Sequence, residues 1–262
     1  GIMESLTSVD KSRIQHAFQK ALNSYDEHAL IQQKMNIKLM THLQDYLPNG
    51  SLDSVLELGC GSGMLSSLLQ KQISVNYWLF NDLCDVRSLL TEKLIQPFDF
   101  SCGDAENFPF SRQFDLIASA SAVQWFHYPD NFISHCKTGL KPNGLLAMTT
   151  FGEDNLKEIR QVTNVGLSYP NLSQWQNWLA NDFDLLWHDD VNVILEFDTP
   201  LDVLKHLKYT GVTATNQKNW TRKNLNKFID DYLKAFSLPS GKVRLTYHPL
   251  FFIARYSHAG NQ

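Results

Sequence analysis

The chain has 262 residues, 43% hydrophobic and 19% charged, which is enough apolar material for one large domain, or one domain with a lid, and argues against disorder. No apolar run approaches the roughly 18 residues that span a bilayer. The polar N-terminus carries no export signal, so a cytoplasmic protein with no membrane partner is expected. The net charge of −4 hides an asymmetry: residues 200–262 hold ten Lys/Arg against three acids, and residues 1–199 hold 13 against 24, a distribution that can mark a face meeting a polyanion.

Along the chain, Ile14, Ala17, Phe18, Ala21 and Leu22 have helical spacing, and a second helical run from Leu30 to Leu47 stops before Pro48-Asn49-Gly50. The rhythm then changes to short apolar runs at 54–58, 77–80, 98–100, 114–120 and 144–150, with helix-compatible stretches at 62–72, 85–95 and 129–140. Continuous apolar strands alternating with helices predict an α/β, doubly wound parallel sheet covered on both faces. Residues 101–113 read as a loop. Beyond Thr150, helices are predicted at 153–166, 172–181, 200–209 and 221–236, with a strand at 191–197. The closing stretch 245–256 reads as a strand interrupted at Pro249, which suits an edge position or a bulge.

Cys60, Cys84, Cys102 and Cys136 include no CxxC pair, so metal-ligand spacing is absent and they read as reduced, buried small hydrophobes. No metal site is expected.

The segment "VLELGCGSG" (55–63) runs a buried strand into three glycines, Gly59, Gly61 and Gly63, with Cys60 between the first two. Such a turn before a helix presents backbone N–H groups to a polar ligand lying close to the backbone. The dinucleotide fingerprint GxGxxG does not fit, because Met64 or Ser66 stands where the third glycine belongs. Glu57, two residues before the loop, suits a positively charged ligand instead. S-adenosylmethionine (SAM) supplies a sulfonium and an α-amino group, and its carboxylate can take the loop N–H groups. Asp82 closes the second strand 23 residues after Gly59, where a carboxylate meets a ribose diol. Asp104 follows the third strand, within reach of an adenine amino group. A lone strand-end aspartate is more often a turn or cap, but these three acids lie at successive strand ends.

The stretches "VLELGCGSG", "GDAENFPF", "FDLIASASAVQWF" and "LKPNGLLAMTTF" resemble the motifs of class I SAM-dependent methyltransferases over roughly residues 25–150. "SAVQW" (121–125), "TTFGEDNLKEI", "YDEHALIQ", "LKYTGVTAT" (207–215) and "LTYHPLFFIAR" are similar to the malonyl-acyl-carrier-protein O-methyltransferase family of biotin synthesis, nearly end to end. The resemblance implies a mostly parallel, seven-stranded Rossmann-like sheet with N-terminal helices and a helical lid. It divides the chain into a cap (1–50), a SAM-binding core (51–199), a basic lid (200–244) and a last core strand with tail (245–262). It also implies transfer of a methyl group from SAM to the free carboxylate of a malonyl thioester, leaving S-adenosylhomocysteine. The cofactor set becomes Glu57, Gly59, Cys60, Gly61, Gly63, Asp82 with Leu83, Asp104 with Ala105, and Ser119. "FNDL" departs from the commoner "DLS" ending of the second strand, so Asn81 or Asp82 faces the ribose, and Asp82 is chosen.

A malonyl carboxylate is already ionised at neutral pH, so no general base is needed, and alignment at about 3–3.5 Å can supply much of the rate. Gln124 and Trp125, at the carboxyl edge of the fourth strand, either line the methyl site or pack the loop. Tyr25 either closes over SAM or belongs to the core; Lys208 either pairs with the substrate carboxylate or sits on a solvated face. The basic region offers Lys205, Arg222, Lys223 and Lys227 to an acidic acyl carrier protein; nucleic acid is the weaker partner. A small-molecule polycarboxylate O-methyltransferase and a non-catalytic SAM-binding protein are the rival readings.

Overall fold

The computed structural model describes Lys11, residues 29–209 and residues 220–257. The helix read from Ile14 to Leu22, Tyr25 and most of the 207–215 segment lie outside the described residues. In chain order the strands are β1 (Leu52–Glu57), β2 (Val75–Asp82), β3 (Asp99–Cys102), β4 (Phe114–Ala120), β5 (Leu140–Phe151), β6 (Phe183–Asp190), β7 (Val193–Phe197), β8 (Val243–Tyr247) and β9 (Pro249–Tyr256). Two compact units account for them.

The larger unit comprises residues 30–150, 171–190 and 250 onward. Its seven strands run in the order β3-β2-β1-β4-β5-β9-β6. The β1–β2, β1–β4, β2–β3 and β4–β5 pairs are parallel and β6–β9 is antiparallel, which is the mostly parallel seven-stranded sheet expected. Covering on both faces explains the burial: β4 buries all its residues except the half-buried Asp115 and Ala120, with no alternation. The helix Leu30–Leu43 buries Ile31, Met35, Leu39 and Leu43, one stripe at near-fourfold spacing.

The chain leaves β1 for β2 on one side and returns through β3 to β4 on the other. Strand order therefore reverses at β1, and the crevice beyond the carboxyl ends of β1 and β4 is the place where open α/β sheets take ligands.

The smaller unit takes in residues 151–170 and 191–249. β7 and β8 form an antiparallel pair, Leu195 opposite Leu245. The helices Lys157–Thr163, Pro200–Tyr209 and Arg222–Phe236 belong to the same unit, and the last buries Phe228, Tyr232 and Phe236. Glu158, wholly buried, accepts the backbone N–H of Thr246 at 2.9 Å and its hydroxyl at 2.6 Å, and faces Arg244 at 3.3 Å.

Several expectations are corrected. β6, with its Trp187-His188-Asp189-Asp190 ending, was not predicted at all; it is half-exposed and pairs with β9 at the sheet margin. Pro249 is neither on an edge strand nor in a bulge: it is the first residue of an interior strand, where its missing N–H costs no ladder bond, and residues 243–247 belong to the other sheet. The helix read to residue 140 ends at Cys136, because a 3₁₀ turn (Lys137–Gly139) starts β5 early. Helix 153–166 shrinks to Lys157–Thr163, entered through Leu156 in the left-handed region (φ 55°). Cys60, Cys84 and Cys136 are buried as expected, but Cys102 at the end of the marginal strand β3 is exposed. No helix among the described residues is long and apolar enough to cross a membrane.

Candidate active site

The glycine loop sits in the fork between β2 and β4. Leu58 N–H donates to the Ala118 carbonyl at 2.9 Å, Cys60 N–H donates to the Asn81 carbonyl at 2.8 Å, and Gly63 N–H closes back on the Cys60 carbonyl at 3.0 Å. Lys93 adds a 2.7 Å bond from Nζ to the Ser62 carbonyl. Gly59, Gly61 and Gly63 hold φ of 67°, 56° and 92°, a region that glycine adopts without a steric penalty.

Their surroundings differ, and this refines the expectation that a ligand forbids all three side chains. A Cβ at Gly59 would stand 2.7 Å from the Cβ of Ala122, and one at Gly63 would stand 2.9 Å from Leu90 Cδ2, so packing excludes side chains there. A Cβ at Gly61 would meet nothing within 4 Å. Only Gly61 borders open space where a ligand can lie against the backbone.

The two candidates at the end of β2 have separate tasks. Asn81 is buried and committed to the frame: its Oδ1 accepts from Gly59 N–H at 3.3 Å, and its Nδ2 donates to the Ser101 and Gly103 carbonyls at 3.1 Å. Asp82 turns toward the loop, with Oδ1 accepting from Gly61 N–H at 3.0 Å and Oδ2 from Cys84 N–H at 2.9 Å. Burial raises the Asp82 pKa, opposed by the N–H groups of Cys84, Gly61 and Leu83. A carboxylate has about four acceptor positions, so with three N–H groups bound one remains for a ribose hydroxyl.

Glu57 is buried beneath the loop and accepts the Ser66 hydroxyl at 2.5 Å. Burial pushes its pKa up to about 8, with the Ser66 bond opposing and the Asp82 charge adding to the rise. Cys60 is buried beside both acids, and its thiol is raised well above the usual range by burial and by their charge. Asp104 caps the 3₁₀ turn Ala105–Asn107, its Oδ1 accepting from Glu106 N–H at 3.0 Å and its Oδ2 from Asn107 Nδ2 at 3.2 Å; Ala105 is buried.

Beyond β4, Ser119 is buried and donates its hydroxyl to the Leu58 carbonyl at 2.9 Å, so that side chain fastens β4 to the base of the loop. Gln124 donates Nε2 to the Ser121 carbonyl at 2.8 Å, while its Oε1 is buried with no partner among the described residues. Trp125 is buried in the same turn. Lys205, Lys208, Arg222, Lys223 and Lys227 are exposed, all in the smaller unit, and Lys227 pairs with Asp231 at 2.7 Å.

Two residues escaped the sequence reading. Glu106, buried, accepts the backbone N–H groups of His127 at 2.9 Å and Tyr128 at 2.6 Å, tying the turn after β3 to the segment after β4. Its partners lie more than twenty residues away, so no local pattern announces them. Ser121 has φ 53° and a buried hydroxyl without a partner; a non-glycine left-handed residue at a strand end leaves no mark in the sequence. Among the described residues no group of three or more His, Cys, Asp or Glu could hold a metal.

A cationic, diol-bearing ligand fits these features: acids at the ends of β1, β2 and β3, open space above Gly61, and an orphaned acceptor after β4. Comparisons with known proteins agree. The family described as "Methyltransferase domain" matches residues 56–148. The solved N-methyltransferase NodS from Bradyrhizobium japonicum WM9, in complex with S-adenosyl-L-homocysteine, shares the fold with TM-score 0.55 and 11% identity, over 93% of this chain and 98% of that one. The malonyl-[acyl-carrier protein] O-methyltransferase of Porphyromonas gingivalis is 39% identical over 97% of this chain and all of its own length. The Haemophilus influenzae protein of the same name is 82% identical over 99% of this chain and 100% of that protein. With identity of this level over 99% of its residues, the chain belongs to the malonyl-[acyl-carrier protein] O-methyltransferase family.

Proposed function

We infer that this protein is a SAM-dependent carboxyl O-methyltransferase that methylates the free carboxylate of a malonyl thioester on acyl carrier protein, an early step of biotin synthesis. The observation that carries the reading is the 82% identity over the full length of a relative with that name. SAM, when bound, supplies an electrophilic methyl on a sulfonium.

The chain's own residues bind and orient. The N–H groups of Gly59, Cys60, Gly61 and Gly63 are taken within the protein, so the loop meets the ligand with its bare backbone at Gly61, Asp82 accepts from the ribose, Asp104 and Ala105 meet the adenine, and Glu57 balances the positive charge of the amino acid end. Leu83 and Cys60 shape the cleft by their backbones, and Ser119 holds the floor on which the loop rests. Gln124 and Trp125 border the methyl-acceptor position. Placing the ionised acceptor in line supplies much of the rate without a general base. In the smaller unit, the exposed Lys205, Lys208, Arg222, Lys223 and Lys227 favour encounter with an acidic carrier. Tyr25 is retained as a residue that closes over SAM, and the protein is placed in the cytoplasm.

The test is methyl transfer from labelled SAM to malonyl carrier, acetyl carrier, free carrier and a free polycarboxylate. Label on the malonyl carrier alone, released as methanol by mild alkali, is the expected result. Label on a free polycarboxylate but not on the carrier would overturn it.

A further inference from the structure

Three features meet at Ser121. Its backbone is left-handed (φ 53°), a conformation disfavoured for any residue with a Cβ. Its N–H is held by two acceptors of the neighbouring strand, the carbonyl and the hydroxyl of Thr149, both at 3.0 Å, so the turn cannot relax. Its own hydroxyl is buried with no partner among the described residues, although a hydroxyl group rotates readily to find one. Glycine would meet the same backbone requirement without strain; what serine adds is the hydroxyl. Strain retained beside an unsatisfied donor is characteristic of a ligand contact.

The position says which ligand. Ala122, the next residue, abuts Gly59, so the turn borders the glycine loop. Gln124 grips the Ser121 carbonyl and fixes the other side of the turn. We propose that Ser121 is a substrate-binding residue whose hydroxyl donates to the malonyl carboxylate, orienting the oxygen that is not methylated and thereby selecting acyl groups that end in a carboxylate. This rests on the malonyl carrier reading above. A hydroxyl donor suits an anion, and in the mature ester the carboxylate charge is gone, so the contact weakens as product forms.

The experiment compares wild type, Ser121→Ala and Ser121→Gly with malonyl carrier as substrate, acetyl carrier as a competitive inhibitor lacking the carboxylate, and SAM binding by calorimetry. A hydrogen bond to a charged group implies a rise in KM for malonyl carrier of about tenfold or more in both variants. SAM affinity and the inhibition constant of the acetyl carrier should stay unchanged, so the preference for malonyl over acetyl narrows by the same factor. Ser121→Gly removes the backbone strain and should have at least wild-type thermal stability, which separates loss of the hydroxyl from loss of fold. Unchanged malonyl KM, or a parallel fall in SAM or acetyl binding, would overturn the assignment. Absence of turnover by the wild-type protein would instead defeat the underlying reading.

Discussion

Asp82 reaches back across the fork of the sheet to accept the N–H of Gly61 at 3.0 Å, so the residue proposed to hold the ribose also sets the conformation of the loop beside it. Replacing Asp82 by Ala removes a ligand contact and a loop tether together. SAM affinity should fall at least tenfold, since a bond to a charged group is worth roughly 1.5–3 kcal/mol. Calorimetry on Asp82→Ala and Asp82→Asn checks this. An affinity equal to wild type in both would remove Asp82 from the site.

Glu57 predicts a proton linkage. With its pKa pushed up to about 8 by burial, the carboxyl of the free protein is mostly protonated at neutral pH. A cationic ligand amine favours the ionised form, so binding should release up to one proton, and affinity should rise as pH climbs toward that value. Calorimetry in buffers of different ionisation heat reads the release, which Glu57→Gln should abolish. Stability moves the other way. A folded pKa above the ordinary 4.5 means the contribution is fully present below that pH and is lost as pH rises through about 8. Denaturation of the ligand-free protein should show this decline, and Glu57→Gln should flatten it.

Buried Glu158, bonded twice to Thr246 and facing Arg244, should be a stability residue of the smaller unit. Glu158→Ala leaves a buried N–H, a hydroxyl and a guanidinium without their acceptor, a loss of about 3–5 kcal/mol. Chemical denaturation should show it, with SAM affinity of the folded fraction unchanged.

Reversing Arg222, Lys223 and Lys227 to Glu should lower kcat/KM for the malonyl carrier while sparing SAM affinity. Each exposed contact is worth roughly 0.2–1 kcal/mol, so three reversals act together, and the defect should shrink at high salt. Lys227 already pairs with Asp231, so it should contribute least of the three. Equal losses on a short malonyl thioester without the protein would mean that these residues shape the active site and not a docking face.

The framework was legible where burial makes the sequence speak. "FDLIASA" defines β4 to the residue, because a doubly covered strand is apolar over most of its length, here Leu116, Ile117 and Ala118, and is bounded by the polar Gln113 and Ser121. β6 was hidden because it is a half-exposed marginal strand, whose short apolar run Leu185-Leu186-Trp187 is hemmed in by Asp184, His188, Asp189 and Asp190. The acids at the ends of β1, β2 and β3 were found from spacing, but the separate tasks of the neighbours Asn81 and Asp82 were not. That Asn81 serves the frame and Asp82 the loop depends on which way two adjacent side chains point. Glu106 and Ser121 stayed invisible for a related reason: one acts on amides far along the chain, the other through a backbone angle.

Pro249 begins a strand that sits inside the central sheet although it is made after everything else in that sheet. β6 pairs with β9, so as the chain emerges from a ribosome β6 must wait, its pairing edge exposed, while β7, β8 and the helices 200–209 and 222–236 are synthesised. Completion of the sheet is therefore a late, long-range event, of the kind that slows folding and leaves strand edges open to wrong partners. Nascent chains stalled before residue 249 should hold the glycine loop between β1, β2 and β4 yet lack the strand that closes the sheet onto β6.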